Sequence, residues 1–449
     1  MSLTSPGTPP PPQPPALRVA VLGAGTVGTE VLRLIAQQRG DLAHRIGADL
    51  EVVGIAVRDL TRDRGEHAGA ELLTEDASEL VRTADLVIEV MGGIEPARSL
   101  LLDAMAHGAS VVTANKALLA QDGASLYEAA DIHGVDLYFE AAVAGAIPLV
   151  RPVRESLAGD RIQRVLGIVN GTTNYVLDAM TRTGASFDAA LASAQELGFA
   201  EADPTADVQG HDAAAKASIL ASLAFHSRVR LSDVHCEGIT EVSPLDIAAA
   251  ARMGRTIKLL SIVERVQDDL GERISARVYP ALLPDEHPLA SVSEAYNAVF
   301  IEADAAGSLM FYGQGAGGAP TASAILGDVV SAARQRVRGG VGPRESRYAE
   351  LEQVPLDDLR NAFYVSLTVQ DRPGVLAEIA GTLSGNGISI STIHQELLEK
   401  PEGEGEQALA HIGISTHRAL ESAMTASLDL FSSTSTVLSI DSVLRIEGV

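Results

Sequence analysis

The chain has 449 residues, of which 46% are hydrophobic and 4% aromatic, and its 59 acidic and 34 basic residues give a formal net charge of −25. Such an acidic chain is a poor partner for nucleic acid or an anionic membrane, because both are bound by basic surfaces. No apolar run approaches the roughly 18–20 residues that span a bilayer, and the first residues show no secretory signal pattern. The single cysteine, Cys236, excludes an internal disulfide and a CxxC metal site. We therefore expect a cytoplasmic protein of several domains.

The first 150 residues predict a disordered tail followed by a nucleotide-binding fold. Residues 1–16 are rich in proline, glycine, serine and threonine, a composition typical of extended, disordered segments. Across residues 17–150, short apolar strands alternate with helices. The strands are predicted at residues 17–22, 50–57, 86–89, 110–113 and 137–140. This alternation favours the α/β class with a doubly wound, Rossmann-type parallel sheet.

The rest of the chain divides into a second domain, a linker and a small third domain. Residues 151–337 mix strands and helices and are interpreted as the substrate and catalytic domain, whose last helix is expected to return to the first domain. Residues 338–360 are charged and contain glycine and proline, which predicts a linker. Residues 361–449 follow the order βαββαβ, the pattern of a ferredoxin-like fold.

A glycine-rich turn follows the first predicted strand. Its sequence, Gly23-Ala-Gly25-Thr26-Val27-Gly28, opens a helix, and a strand before and a helix after are the context that a dinucleotide-binding turn requires. Glycines let the backbone approach a pyrophosphate, and the helix N-terminus supplies N–H donors. We predict that this turn binds NADP or NAD.

Three further side chains follow strands whose carboxyl ends face the ligand crevice of such a sheet. Arg58 follows the second strand and is placed to pair with a 2′-phosphate, which favours NADP, while Asp59 beside it leaves NAD open. Lys116 follows the strand at 110–113 and is placed to meet nicotinamide and substrate. An ordinary surface lysine is the alternative for Lys116.

One stretch of the second domain concentrates acidic side chains before a lysine in an apolar helix. Glu201, Asp203, Asp207 and Asp212 fall within twelve residues, and Lys216 follows among alanine, isoleucine and leucine. Because Asp212 and Lys216 are four residues apart, they share one helical face. A buried ammonium is costly unless it is paired, so we interpret Lys216 as a chemical group, with a solvated ion pair as the alternative.

Two irregular segments add candidate ligands and a cap. The segment from Glu140 to Pro148 combines one carboxylate with backbone carbonyls, which suits a hard cation. A plain glycine-containing crossover explains that segment equally well. After the strand at 162–169 a turn is predicted, with Thr172 or Thr173 as the cap of the next helix.

The chain resembles the homoserine dehydrogenase family from residue 17 onward. Six segments in order carry the resemblance: GAGTVG (23–28), TANKA (113–117), FEAAVAGAIP (139–148), GIVNGTTNY (167–175), LGFAEADPTADVQGHDAAAK (197–216) and YGQGAGGAPTAS (312–323). The C-terminal domain resembles an ACT domain through DRPGVLAEIA (371–380) and NGISISTIHQ (386–395). The resemblance implies NAD(P)-dependent interconversion of L-homoserine and L-aspartate 4-semialdehyde on the route to threonine and methionine. It also implies feedback by an amino acid, expected to be threonine.

The resemblance further implies roles for individual residues. Lys216 and Lys116 are the expected catalytic lysines, with Asp212 orienting Lys216. The residues expected to bind substrate are Gly198, Glu201, Asp207 and Thr172. The glycine loop expected to close over the cofactor contains Gly315, Gly317 and Gly318. A monovalent cation, expected to be sodium, would be held by Glu140 and the carbonyls of Val143, Gly145 and Ile147.

Elementary chemistry agrees with that assignment. Oxidation of a primary alcohol needs a group that takes the hydroxyl proton, and a buried lysine suits that role. We favour Lys216 as the acid–base group, with Lys116 in the proton path or holding the substrate. ACT domains commonly pair edge to edge, which leads us to expect a homodimer or homotetramer. Two alternatives stay open: another ACT-bearing NAD(P) oxidoreductase, and a non-catalytic dinucleotide sensor.

Overall fold

The structure is a computed structural model that describes residues 15–399 and 408–448. The predicted tail lies outside the described residues except for its last two positions. The described chain divides into two compact units. One comprises the described part of Met1–Pro148 together with Ala316–Glu345, and the other comprises the described parts of Leu149–Gly315 and Ser346–Val449. None of the described helices is both long enough and apolar enough to cross a membrane.

The elements before residue 148 alternate between strand and helix. The strands are β1 (Leu17–Leu22), β2 (Leu50–Ala56), β3 (Leu73–Thr74), β4 (Leu86–Glu89), β5 (Ser110–Thr113) and β6 (Leu137–Tyr138). The helices are α1 (Thr26–Gln37), α2 (Arg39–Ile46), α3 (Ala77–Thr83), α4 (Ala97–Ala106) and α5 (Lys116–His133). The sequence predicted β1, β4 and β5 at the observed residues because each is a short apolar run. The strand predicted at 137–140 ends earlier, and Glu140 instead begins a short 3-10 turn.

The middle of the chain adds six strands and six helices among the described residues. The strands are β7 (Ile162–Ile168), β8 (His235–Cys236), β9 (Arg255–Asp268), β10 (Gly271–Pro284), β11 (Tyr296–Ala303) and β12 (Gly307–Gln314). The helices are α6 (Gly171–Thr183), α7 (Phe187–Glu196), α8 (Thr205–Val208), α9 (His211–Phe225), α10 (Pro244–Arg252) and α11 (Gly318–Arg338).

The C-terminal elements follow the predicted βαββαβ order. They are β13 (Arg360–Gln370), α12 (Val375–Gly385), β14 (Ile390–Glu399), β15 (Leu409–Thr416), the short β16 (Ala419–Leu420), α13 (Glu421–Ser433) and β17 (Val437–Ile446). The last strand begins at Val437 and has mostly exposed or half-buried residues until its last three positions, which are buried.

The first unit is built on a six-stranded parallel sheet in the order β3-β2-β1-β4-β5-β6. The predicted doubly wound, Rossmann-type class is therefore confirmed. Val19 and Val21 of β1 share a core with Ile325 and Val329 of α11, so this late helix packs on the N-terminal sheet. The strand order reverses between β1 and β4, which places the ligand crevice at the carboxyl ends of those strands.

The second unit contains a mixed sheet in the order β12-β11-β7-β9-β10-β17-β13-β15-β14. The long antiparallel hairpin β9–β10 lies at its centre. Beside it β17 pairs in parallel with β10, with Ala281 opposite Arg445 and Leu282 opposite Ile446. The C-terminal domain therefore continues the sheet of the preceding residues instead of forming a sheet of its own.

The C-terminal part of that sheet has two different faces. Helices α12 and α13 cover one face, where Phe363, Ile412 and Phe431 lie in a common core. Because successive side chains of a strand point to opposite faces, Tyr364 and His411 lie on the other face. That second face looks toward α10.

A buried charge cluster fastens the end of β17 to β10. Arg277 is almost fully enclosed and its Nη2 lies 2.7 Å from Glu264 and 3.7 Å from Glu447. The Tyr279 hydroxyl donates to Glu447 at 2.8 Å, and Arg164 pairs with the same carboxylate. Burial opposes the charged form of Glu447, but Arg164 and Arg277 outweigh it and hold the pKa of Glu447 below its usual value.

Candidate active site

The glycine turn after β1 brings backbone segments closer than side chains would permit. Gly23 has φ of +101°, and a Cβ there would lie 2.9 Å from the carbonyl oxygen of Val90. A Cβ on Gly28 would lie 2.2 Å from the carbonyl oxygen of Gly23. Helix α1 begins at Thr26, and its cap residue Gly25 provides no side-chain hydrogen bond. Its first N–H groups therefore face the crevice without a side-chain acceptor at the cap.

A second helix begins beside this turn. Helix α11 starts after Gly317, which likewise provides no side-chain cap. A Cβ on Gly318 would lie 3.0 Å from the carbonyl oxygen of Thr26, so the N-termini of α1 and α11 are in contact. Two neighbouring helix N-termini form a strong site for an anion such as a diphosphate. Gly315, which precedes Gly317 in the same loop, belongs to the second unit. It packs against Asn297 of that unit, and a Cβ on Gly315 would overlap the Asn297 amide.

At the tip of β2 the carboxylate of Asp59 is held by hydrogen bonds, whereas Arg58 is exposed. The Asp59 carboxylate accepts from the backbone N–H and hydroxyl of Thr61 at 2.8 and 2.6 Å, and these hydrogen bonds lower the pKa of Asp59. Arg58 is exposed, and Arg64 donates to the backbone carbonyl of Asp59 at 2.6 Å. The tip therefore presents cationic side chains around a carboxylate that is already engaged.

Lys116 is the first residue of α5 and is half-buried. The cap of this helix is Asn115, whose oxygen accepts from the backbone N–H of Leu118 at 3.1 Å. The amide of Asn115 also donates to the carbonyl of Gly93 at 2.6 Å. These contacts fix the start of α5 against the segment that follows β4, and with it the position of Lys116.

The segment that begins at Glu140 is almost entirely buried. Ala144 and Gly145 have φ of 58° and 56°, so two successive residues adopt the left-handed conformation that turns backbone groups away from regular directions. The backbone N–H of Glu140 donates to the buried carboxylate of Asp328 at 2.7 Å. No cluster of three or more His, Cys, Asp or Glu able to hold a metal occurs in the described ranges. A cation here would depend on backbone carbonyls.

In the second unit, Lys216 and Asp212 form a buried pair on α9. The two residues are 7% and 8% exposed, and Nζ of Lys216 donates to Asp212 at 2.7 Å and to the carbonyl of Val169 at 2.6 Å. Helix α9 begins directly after Gly210, which has φ of +82°; a Cβ there would lie 3.0 Å from Sγ of Cys236. The predicted i, i+4 pair is present, and it is enclosed, not solvated.

Asn170 joins this pair to the neighbouring residues. Its side-chain amide donates to Asp207 at 2.6 Å and to Asp212 at 2.9 Å. Its side-chain oxygen accepts from the backbone N–H of Thr173 at 2.9 Å. The cap of α6 is therefore Asn170, and the prediction that Thr172 or Thr173 caps this helix was wrong.

Thr172 belongs to the same hydrogen-bonded cluster. Its hydroxyl lies 2.6 Å from the carbonyl oxygen of Phe199 and 3.2 Å from the carboxylate of Asp207. Gly198, with φ of +77°, turns the chain toward Glu201, which is exposed. Within residues 15–399 no hydrogen bond joins the Glu201 carboxylate to the cluster around Lys216. The structure thus brings together Asp207, Thr172 and the buried pair, and leaves Glu201 on the rim.

Comparison with known proteins shows the family to which the chain belongs. The models named "Homoserine dehydrogenase, NAD binding domain", "Homoserine dehydrogenase" and "ACT domain" match residues 23–140, 148–330 and 363–407. A homoserine dehydrogenase of Mycobacterium tuberculosis is 55% identical over 433 residues, which cover 96% of this chain and 97% of that protein. The chain belongs to the homoserine dehydrogenase family. It is an oxidoreductase with a nicotinamide dinucleotide-binding domain and a C-terminal ACT domain.

Solved structures of homoserine dehydrogenases share the fold. One from Thiobacillus denitrificans matches with a TM-score of 0.89 and 37% identity, covering 97% of this chain and 98% of that one. A hyperthermophilic archaeal homoserine dehydrogenase in complex with NADPH matches with a TM-score of 0.59 and 26% identity, covering 74% of this chain and 99% of that one.

Three buried polar residues of this homoserine dehydrogenase were not identified from the sequence: Glu89, Asn170 and Asp328. Glu89 accepts from the hydroxyl of Thr113 at 2.6 Å and from two backbone N–H groups after β4. A carboxylate at the end of an otherwise apolar strand is a signal that could have identified Glu89. Asp328 lies inside a helix without any local motif, and only the fold brings it to Glu140.

Proposed function

We propose that the chain catalyses the NADP-dependent interconversion of L-homoserine and L-aspartate 4-semialdehyde, a step toward threonine and methionine. The observation that carries the proposal is the enclosed pair of Lys216 and Asp212, tied to Asp207 through Asn170. An ammonium held in a dry, fixed position beside carboxylates is what a proton transfer to a carbonyl oxygen requires of a protein.

The first unit fits a dinucleotide. The close backbone approach at Gly23 and Gly28 and the two uncapped helix N-termini suit a diphosphate. Because Thr61 already engages Asp59, the exposed Arg58 is the better-placed group for the adenosine ribose, and it would pair with a 2′-phosphate. These contacts support NADP over NAD. When bound, the cofactor supplies the hydride in reduction and takes it up in oxidation.

Lys216 is the proposed acid–base group. In reduction of the semialdehyde, its ammonium donates a proton to the carbonyl oxygen while the carbon gains hydride; in oxidation, the neutral amine takes the hydroxyl proton. The contacts with Asp212 and the Val169 carbonyl hold Nζ in one direction. Lys116, fixed at the start of α5, is proposed either to share the proton path or to hold the substrate.

Four residues are proposed to bind the amino-acid end of the substrate: Gly198, Glu201, Asp207 and Thr172. Asp207 is oriented by Asn170 and Thr172 and offers a carboxylate to the substrate ammonium. Gly198 and Glu201 lie on the exposed loop that precedes α8, where a carboxylate can approach a ligand without a large desolvation cost. Together they would select a substrate that carries a free amino group.

The segment from Glu140 is proposed to hold a monovalent cation, sodium, through the Glu140 carboxylate and the carbonyls of Val143, Gly145 and Ile147. Burial, an oxygen-only donor set and two left-handed residues that redirect the backbone support this assignment. The hydrogen bond from the Glu140 N–H to Asp328 fixes the start of the segment.

The ACT domain is proposed to bind threonine and to join two copies of the chain in a homodimer or a larger homotetramer. β14 ends the described path of the sheet, and Ile393 and Leu397 on it are 41% and 47% exposed. An exposed strand edge with apolar side chains is a template for pairing with a second copy.

The function is tested by following NADPH absorbance with the purified protein. We expect rapid NADPH consumption with L-aspartate 4-semialdehyde and NADP reduction with L-homoserine. Turnover of prephenate or a 2-hydroxy acid in place of homoserine would favour another oxidoreductase. Cofactor binding with no turnover of any of these compounds would favour a dinucleotide sensor.

A further inference from the structure

A cleft of about 760 Å³ lies between α10 and the face of the C-terminal sheet that α12 and α13 leave uncovered. Its floor includes Tyr364 of β13 and Ser415 of β15, and its wall includes Met253, whose sulfur lies 3.4 Å from the Ser415 hydroxyl. None of the cleft-lining residues that the structure describes belongs to the glycine turn or to the cluster around Lys216. Its volume is in the range of small-molecule sites, roughly 300–1,000 Å³.

The lining of this cleft is basic. Its side chains include three arginines and three histidines: Arg252, Arg255, Arg418, His394, His411 and His417. None of the described residues that line it is aspartate or glutamate. In a chain with 59 acidic and 34 basic residues, such a local excess of basic groups is the reverse of the average. The three arginines repel each other; Asp285 and Glu286 act on Arg255 from outside the lining, and a bound anion would offset the repulsion that is left.

Hydroxyl donors accompany these charges. Ser391, Thr392, Thr416 and Tyr364 also line the cleft. Arginine with several hydroxyl groups is a donor set that suits the many acceptor oxygens of phosphate. We propose that this cleft binds a phosphorylated small molecule that carries two or more negative charges.

A carboxylate at the border supports the proposal. Glu396 lies 3.9 Å from Arg252 and 3.0 Å from His394, so one internal anion already partners two of the basic groups. A ligand phosphate would compete with it for the same side chains. Removing the charge of Glu396 should therefore strengthen the binding of an anion, a gain that damage to the fold would not produce.

The experiment is a calorimetric titration of the full chain with inorganic pyrophosphate, with NADPH present at saturation so that the glycine turn is occupied. We expect one pyrophosphate per chain. Arg252→Ala and Arg418→Ala should each weaken binding about tenfold or more, as expected for loss of one charge-assisted contact. Glu396→Gln should bind more tightly than the wild type. Arg182→Ala is the matched control, since Arg182 is also an exposed arginine near an acid, Asp178, at 3.5 Å.

Absence of pyrophosphate binding at millimolar concentration would overturn the proposal. The proposal would also be overturned if all four variants bound pyrophosphate with the same affinity. A parallel titration with citrate identifies the anion class: if citrate binds at this site and pyrophosphate does not, the assignment to a phosphorylated ligand is wrong. Thermal unfolding of each variant, followed by circular dichroism, shows that weaker binding does not come from unfolding.

Discussion

The side-chain amide of Asn170 donates to the carboxylate of Asp212 at 2.9 Å, and the same carboxylate oxygen accepts from Lys216 at 2.7 Å. Because the other end of Asn170 caps α6, one side chain sets both the start of that helix and the direction of the buried ion pair. The position of the proposed acid–base group thus depends on a residue that need not touch the substrate.

Asn170→Ala should lower both stability and turnover. Loss of the cap costs about 1 kcal/mol, and two carboxylates lose the donor that separates them. We expect kcat to fall by about 10- to 100-fold, as for a lost charge-assisted contact of roughly 1.5–3 kcal/mol. Ser186→Ala removes the cap of α7 and should lower stability alone. If Asn170→Ala keeps wild-type kcat, Asn170 is a cap and nothing more.

Lys216→Met and Lys116→Met should each lower kcat by about 10²–10⁴-fold, the contribution typical of a positioned proton donor. NADPH affinity, measured by fluorescence titration, should change little. Lys258→Met is the control, because Lys258 is also a buried lysine of the second unit and has no proposed role in the reaction. Near wild-type turnover in the Lys216 variant would remove that residue from the mechanism.

Lys258 should make stability depend on pH. Burial lowers the pKa of Lys258 to about 8, against an ordinary value of 10.5, with a smaller opposing contribution from Asp178. Between those values the unfolded chain binds more protons, so stability rises with pH. Relative to Lys258→Met, the wild type should gain roughly 2 kcal/mol between about pH 7.5 and pH 10 in reversible urea unfolding. Ser261→Ala, another buried change on β9, should show a constant difference; a constant difference for Lys258→Met would contradict the lowered pKa.

Arg58→Ala should raise KM for NADPH about tenfold while KM for NADH stays the same, because only the 2′-phosphate needs the guanidinium. Initial rates with each cofactor give the ratio. The control is Arg82→Ala, since Arg82 is an exposed arginine of the same unit that pairs with Asp103 at 2.9 Å. Equal loss with both cofactors would show that Arg58 does not read the phosphate.

Leu397→Lys should separate the proposed dimer. A charge placed on the exposed strand β14 opposes pairing with a second copy, and light scattering after gel filtration should then report half the wild-type mass. Leu270→Lys changes a residue that is 78% exposed at the β9–β10 turn and should leave the mass unchanged. An unchanged mass for Leu397→Lys would place the subunit contact elsewhere.

Local features were predictable and distant contacts were not. The glycine turn and the Asp212–Lys216 pair lie within a few residues, so the sequence shows them directly. Asn170 meets Asp207 and Asp212 across 37 and 42 residues, and no local pattern distinguishes it from an ordinary turn asparagine. Asp328 reaches Glu140 across 188 residues.

The same limit applies to the sheets. Short apolar runs identified β1 and β5, whereas β9 carries Arg265 and Glu264 among its apolar residues, because its charged side chains pair with neighbouring strands. Pairing of β17 with β10 could not be predicted either, since no sequence signal states which strands become neighbours across a domain boundary.

That pairing has a practical consequence for a test of the proposed feedback control. Cutting the gene before β13 would also remove Glu447, a partner of both the half-buried Arg164 and the enclosed Arg277. Glu264 would remain as a partner of both arginines, so two cations would share one carboxylate where they now have two, and weakening a buried charge network in this way lowers stability. The proposed feedback is therefore better tested by point substitution on the far strands of the ACT domain, with the last ten residues left in place.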